Sequence, residues 1–239
     1  MSEQDRGTWR VRAAVRESVV IIASILIAFG IDAWWDNRGD AVQSDAFLSA
    51  LADDINGTMA ELERVRAMHA GISESSARIM RWGQSSDPLA ACQAESDPYA
   101  FLLAHPSIDP PLGALQAILG SGRTDLVEDR ALLRELTRFA AVVSDLEREE
   151  ARANAHLATE VYPFLRDALD LKTAVRSGGY VWEDTGGAPV PCDPVLSRTF
   201  QSVIYYYWSY HEVVLRENIP ALAESVQAVS SLLEAEGYR

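Results

Sequence analysis

Residues 15–35 read VRESVVIIASILIAFGIDAWW, and the environment of this stretch decides the fold. Residues 18–31 carry no charge for 14 positions. That length alone suits a buried core helix or a signal-peptide core as well as a membrane segment. The flanks separate the three. As α-helix the whole stretch extends about 31 Å, the thickness of a bilayer's hydrocarbon core. Arg16 and Glu17 then fall near one end and Asp32 near the other, where charge is cheapest. Asp32 lies about one turn from the aqueous edge and reads as a solvated interfacial acid. Trp34 and Trp35 sit where an aromatic belt belongs. The expectation is a transmembrane helix over 15–36. Ala23, Ala28 and Gly30 are small residues that let a neighbouring helix approach closely, although ordinary lipid-facing composition reads the same way.

Four Arg precede the uncharged run 18–31, and Arg38 alone lies among the next 28 residues after Trp35. By the positive-inside rule, residues 1–14 form a cytoplasmic arm and 37–239 a periplasmic domain, making a single-pass protein of the inner membrane. The formal net charge is -14. Residues 1–38 balance at five Arg and five acids, so the excess falls on the remainder, with 16 bases against 30 acids. So acidic a body repels phosphate backbones, which argues against a nucleic-acid partner. The segment contains no His, Cys or Met and so offers no axial ligand to haem or pigment. The partners expected are the lipid bilayer and other membrane protein subunits, with no cofactor.

The body is expected to be a helical bundle with two irregular regions. No Pro occurs before Pro88, so the anchor helix runs on into the domain. Leu48, Leu51, Ile55, Met59, Leu62, Val65, Ile72 and Ile79 make one apolar stripe, with Met59 as core filler. Asp53, Asp54, Glu61, Glu63 and Arg64 lie opposite. A proline-rich region covers 84–111. A short helix follows from Leu112 and ends on Gly120-Ser121-Gly122. Asp129 is placed to cap a long helix through Leu132, Leu136, Phe139, Val143, Leu146 and Leu157, which Pro163 should kink or break. Irregular sequence returns at 177–194, with a short strand expected at Tyr180-Val181-Trp182. The last part is helical, with Pro220 in the first turn of a final helix.

Cys92 and Cys192 sit in the two proline-flanked regions. An even pair outside the cytoplasm points to a disulfide; two free thiols or a shared metal are the alternatives. No hydrolase, phosphate-loop or zinc-protease motif is present, so no catalytic residue or metal site is assigned. The His are scattered at 69, 105, 156 and 211. His156 and Glu160, one turn apart, read as a surface pair sooner than as metal ligands. Aromatics crowd one helix. Phe200, Val203, Ile204, Tyr207, His211 and Val214 make its core stripe. Tyr205, Tyr206, Trp208 and Tyr210 cover the rest and are candidates for either burial or partner contact.

RESVVIIASILIAFGIDAWWDNR (16–38) and LGALQAILGSGRTDLVEDRALLRELTRF (112–139) resemble an uncharacterised family of bacterial single-pass membrane proteins. Its members share an acid before a short Ile/Leu span, a Trp-containing charged exit, and a central Leu-rich turn with Ser-Gly. The chain departs at Asp32, where the family often has Asn, and its cysteines have no counterpart in the motif. The resemblance implies an anchored helical extracytoplasmic domain and supplies no activity. Together these features predict a non-enzymatic structural or accessory subunit of a larger membrane complex, with a respiratory or photosynthetic assembly as one host. The alternative is a membrane-anchored envelope sensor or ligand-binding domain.

Overall fold

The computed structural model describes the backbone of residues 3–94, 101–168 and 191–238. Within these it describes side chains from residue 22 onward, save 23, 33, 36 and 37. Among the described residues the protein is helical, with no strand. The strand expected at Tyr180-Val181-Trp182 lies outside them.

Helix α1 (Glu3–Gly83) is unbroken over 81 residues, about 120 Å. No proline interrupts its hydrogen-bond ladder. Short α2 (Pro88–Gln93) starts on Pro88 and is capped by Asp87, whose side chain accepts from the Ala90 N–H. Helix α3 (Gly113–Ser121) ends at Gly122, whose φ of 71° is the left-handed conformation glycine adopts freely. Helix α4 (Arg130–His156) begins as expected on Asp129, which accepts from Ala131 N–H at 2.7 Å. It passes through a π turn (Leu157–Val161) into α5 (Tyr162–Ala168). A single turn, α6 (Asp193–Leu196), precedes α7 (Arg198–Val213), which Ser197 caps. A second π turn (Val214–Asn218) leads into α8 (Ile219–Glu236).

Of the kink or break expected at Pro163, the break is absent: the helix continues, distorted by the π turn before the proline. Pro220 lies in the first turn of α8, as expected, although α7 runs into α8 without interruption. Each proline is the second residue after a π turn. A proline ring collides with the carbonyl four residues back and donates no hydrogen. Widening the preceding turn makes room for the ring without ending the helix.

The domain is thus three rods: α1, residues 130–168 and residues 198–236. Their order in the core gives the topology. One apolar cluster joins Leu48–Val65 of α1 with Leu132, Leu136, Phe139 and Leu146, and with Leu222, Val226 and Leu233. A second joins Ile72, Ile79 and Trp82 with Leu157, Val161 and Leu165, and with Phe200, Ile204 and Tyr207. The first two rods run from the first cluster to the second, and the third returns. Parallel neighbours need a crossover, and residues 101–127 supply it by running back along α1. Two glycines of α1 let it lie close. A Cβ on Gly57 would stand 2.6 Å from Pro111 Cγ, and one on Gly71 would stand 2.8 Å from Phe101 Cγ. The pyrrolidine of Pro111 has no rotamer to escape into. Gly57→Ala is expected to lower stability by about 1–2 kcal/mol in urea unfolding, despite alanine's better helix propensity. Adding Pro111→Ala should reverse the loss; if the single variant is no less stable than wild type, the close approach is not real.

The expected stripe of α1 is buried except Met59, which is 46% exposed and no core filler. Its neighbour Thr58 is buried instead, its hydroxyl donating to the Asp54 carbonyl. Among the described residues no helix is long and apolar enough to cross a membrane. The uncharged run that was read as a membrane span stops at Asp32, and the side chains of 15–21, including Arg16 and Glu17, lie outside the described residues, as does that of Ala23. Ile22, Ile25, Leu26, Ile27, Phe29, Ile31, Trp34 and Trp35 are exposed.

Candidate functional site

Between the two apolar clusters the core turns polar on all three rods. His69 lies between Val65 and Ile72, Glu150 between Leu146 and Leu157, and His211 between Tyr207 and Val214. All three are buried. The His69 and His211 Nδ1 atoms are 2.7 Å apart, and His69 Nε2 lies 3.1 Å from Glu150 Oε1. Glu150 Oε2 accepts from the Ile108 N–H of the crossover at 2.7 Å. Both carboxylate oxygens are therefore partnered, as a buried carboxylate requires. One pattern of hydrogens satisfies the chain with Glu150 ionised. His69 donates through Nε2 to Glu150, and His211 donates through Nδ1 to His69. His211 Nε2 is then a buried lone pair with no hydrogen-bond partner. Burial, and then the neighbouring His69, lower the His211 pKa to about 3. The edge of His211 meets Tyr207, ring centroids 4.6 Å apart. Burial pushes the Tyr207 phenol well up, so it stays neutral.

The crossover covers this seam and is held by side chains of all three rods. The Ala104 carbonyl accepts from Tyr207, the Pro106 carbonyl from Asn154 Nδ2, and the Ser107 carbonyl from Arg64 Nη2. Glu61 Oε1 accepts from the Asp109 N–H, and Asp54 Oδ2 from the Ala114 N–H. The Arg64 guanidinium beside Glu61 holds that carboxyl below its ordinary pKa, aided by the Asp109 N–H. Glu61, Arg64 and Asp54 were read as one charged face; they are in fact the ties of the crossover.

The expected cysteine pair is joined: Cys92 and Cys192 form a disulfide, buried at the end of the second cluster, linking α2 to α6. On α7, Tyr205 and Tyr206 are exposed, while Trp208 and Tyr210 are half-buried. The core stripe of that helix is as expected, with Val203 only partly buried. His156 does not pair with Glu160. The π turn that begins at Leu157 changes the register, and His156 Nε2 donates to the Val203 carbonyl at 3.0 Å. Both residues instead line an open groove of about 590 Å³ with Arg198, Thr199, Ser202 and Tyr206. Ala28, Gly30, Asp32, Trp34 and Trp35 are exposed on α1, and no atom outside α1 would meet a Cβ on Gly30. Among the described residues no group of three or more His, Cys, Asp or Glu is arranged to hold a metal.

Sequence reading missed the seam. Its members stand 81 and 61 positions apart, a separation no local motif spans. The one available signal was His69 and His211, each at a core position of an apolar stripe. No protein-family model, no curated protein and no solved structure matches this chain.

Proposed function

We propose that the protein is a non-enzymatic accessory subunit of a membrane assembly, anchored through the apolar part of α1, with its bundle outside the cytoplasm. The observation that carries this reading is α1 itself. One continuous helix bears exposed Ile22, Leu26, Ile27, Phe29 and Trp35 at one end and part of both apolar core clusters at the other. Apolar side chains on so many sides of one helix need a cover, from lipid or from partner helices. The uncharged run of 14 residues reaches about 21 Å, so anchoring draws Glu17 and Asp32 toward the headgroup layers. The buried disulfide fits an oxidising compartment. A rigid helix from membrane to core fixes the height and direction of the bundle. Tyr205 and Tyr206, 53% and 58% exposed, are then presented to neighbours.

Two measurements test this. The full chain is expected to stay in the membrane pellet after alkaline carbonate washing and, in mild detergent, to migrate with other membrane proteins. Tyr205→Ala with Tyr206→Ala should weaken that association about tenfold or more without changing thermal stability. A chain that washes off, or always runs alone, contradicts the proposal. A second reading, an anchored envelope sensor, is favoured by one observation: His69, a member of the buried His69–Glu150–His211 seam, lies on α1 as well.

A further inference from the structure

We propose that the Glu150–His69–His211 chain is a proton-binding switch, in which one proton taken up at His211 opens the seam between α1, α4 and α7 and frees the crossover. The inference deepens the sensor reading and does not depend on where residues 15–35 reside.

The argument is a count of hydrogens. Two neutral imidazoles own two ring N–H hydrogens, and the chain uses both. One lies between His69 Nε2 and Glu150, and the other between the two Nδ1 atoms 2.7 Å apart. The remaining nitrogen is His211 Nε2, which has no partner. An added proton lands there directly. Alternatively it enters at His69, and the hydrogen of His211 moves from Nδ1 to Nε2. Both routes leave the same product, an N–H at His211 Nε2 buried without an acceptor. A donor so placed gives up its hydrogen bond to water and receives nothing in return. A second proton would put a hydrogen on both Nδ1 atoms, facing each other at a distance that admits only one. Proton uptake is thus compatible with the closed seam only at a penalty, and rotation of His211 toward water removes it.

The surrounding charges do not relieve this. On α1, Arg64 interacts with Glu150 electrostatically but is engaged by Glu61 and the Ser107 carbonyl. On α7, Glu212 is next to His211 in sequence, yet it accepts from Ser73 at 2.6 Å and pairs with Arg216. Tyr207 is neutral. On the crossover, His105 is turned to the Tyr162 hydroxyl. The buried residues of α8 carry no ionisable group. The seam is also where opening has a mechanical effect. Glu150 holds the crossover through Ile108, and His69 belongs to the helix that leaves the domain.

The sign follows from the His211 pKa, about 3 when closed, against about 6.5 for an exposed imidazole. The open form binds the proton more tightly, so acid favours opening. Between those values the equilibrium shifts about tenfold per pH unit.

The test is native-state hydrogen exchange of the full chain, corrected for intrinsic rates. From pH 6.5 to 5.0 the protection of the Ile108 amide is expected to fall about 15-fold, while Leu136 in the first cluster changes far less. In His211→Asn, whose side chain still donates to His69 but does not titrate, Ile108 protection should be flat. A flat wild type, or the same slope in His211→Asn, overturns the proposal. Should that variant fail to fold, ¹⁵N shifts of the wild-type imidazoles decide. A closed form with His211 neutral below pH 4 supports the switch, and a closed form that charges above pH 5 refutes it. Carbonate extraction reads the anchor independently, so failure of the one leaves the other standing.

Discussion

Replacing Cys92 and Cys192 together by alanine is expected to lower the stability of the domain by about 4–5 kcal/mol. The bond joins residues 100 positions apart. The chain entropy it removes from the unfolded state grows with the logarithm of loop size, to about 4.7 kcal/mol for a loop this long. Its place in the fold adds to the effect. Helices α2 and α6 have six and four residues, too short to persist unaided; Cys92 within α2 and Cys192 at the start of α6 fasten them to the second cluster. Urea unfolding of the oxidised protein, the reduced protein and the double variant measures this. The reduced protein and the double variant should unfold at the same, lower midpoint. A midpoint unchanged by reductant would mean that the cross-link does not constrain the unfolded chain.

Glu150→Ala is expected to cost about 3–5 kcal/mol, because it strips a buried polar network of its only carboxylate. The Ile108 N–H and His69 Nε2 would both lose their partner, and a cavity would open between the rods. Glu150→Gln should cost less, about 1–3 kcal/mol. Its amide oxygen accepts from Ile108, and its NH₂ donates to His69 Nε2 once both imidazoles exchange tautomers. His69 Nδ1 then donates to His211 Nδ1, which leaves the His211 Nε2–H buried without an acceptor and accounts for the remaining loss. The contrast between the two variants in urea unfolding is the measurement. Equal losses would show that carboxylate charge, and not hydrogen bonding, sustains the seam.

Local pattern revealed much of the helical content. The stripes Leu48 to Ile79, Leu132 to Leu157 and Phe200 to Val214 carry the 3.6-residue period, and burial follows them in all but Met59 and Val203. Caps at Asp129 and Gly122 were legible because capping is a contact within four residues. The disulfide was legible in kind from its count and flanks. Pro220 was legible as a first-turn residue, but the continuity of the helices through Pro163 and Pro220 was not, because proline's cost depends on the width of the turn before it, and composition does not report that width.

The sequence by itself determined that this chain is helical, that its body is acidic, and that α1 begins with an apolar run and continues without a proline to Gly83. These are properties of neighbours along the chain. Only the tertiary structure decided that the first two rods are parallel, so that a crossover must pass along α1 over Gly57 and Gly71. It alone brought His69, Glu150 and His211 together. A helix face shows which residues turn inward, but not which residues of another helix they meet. That pairing is set by how three rods stack end to end, and the chemistry of the seam exists only once they have done so.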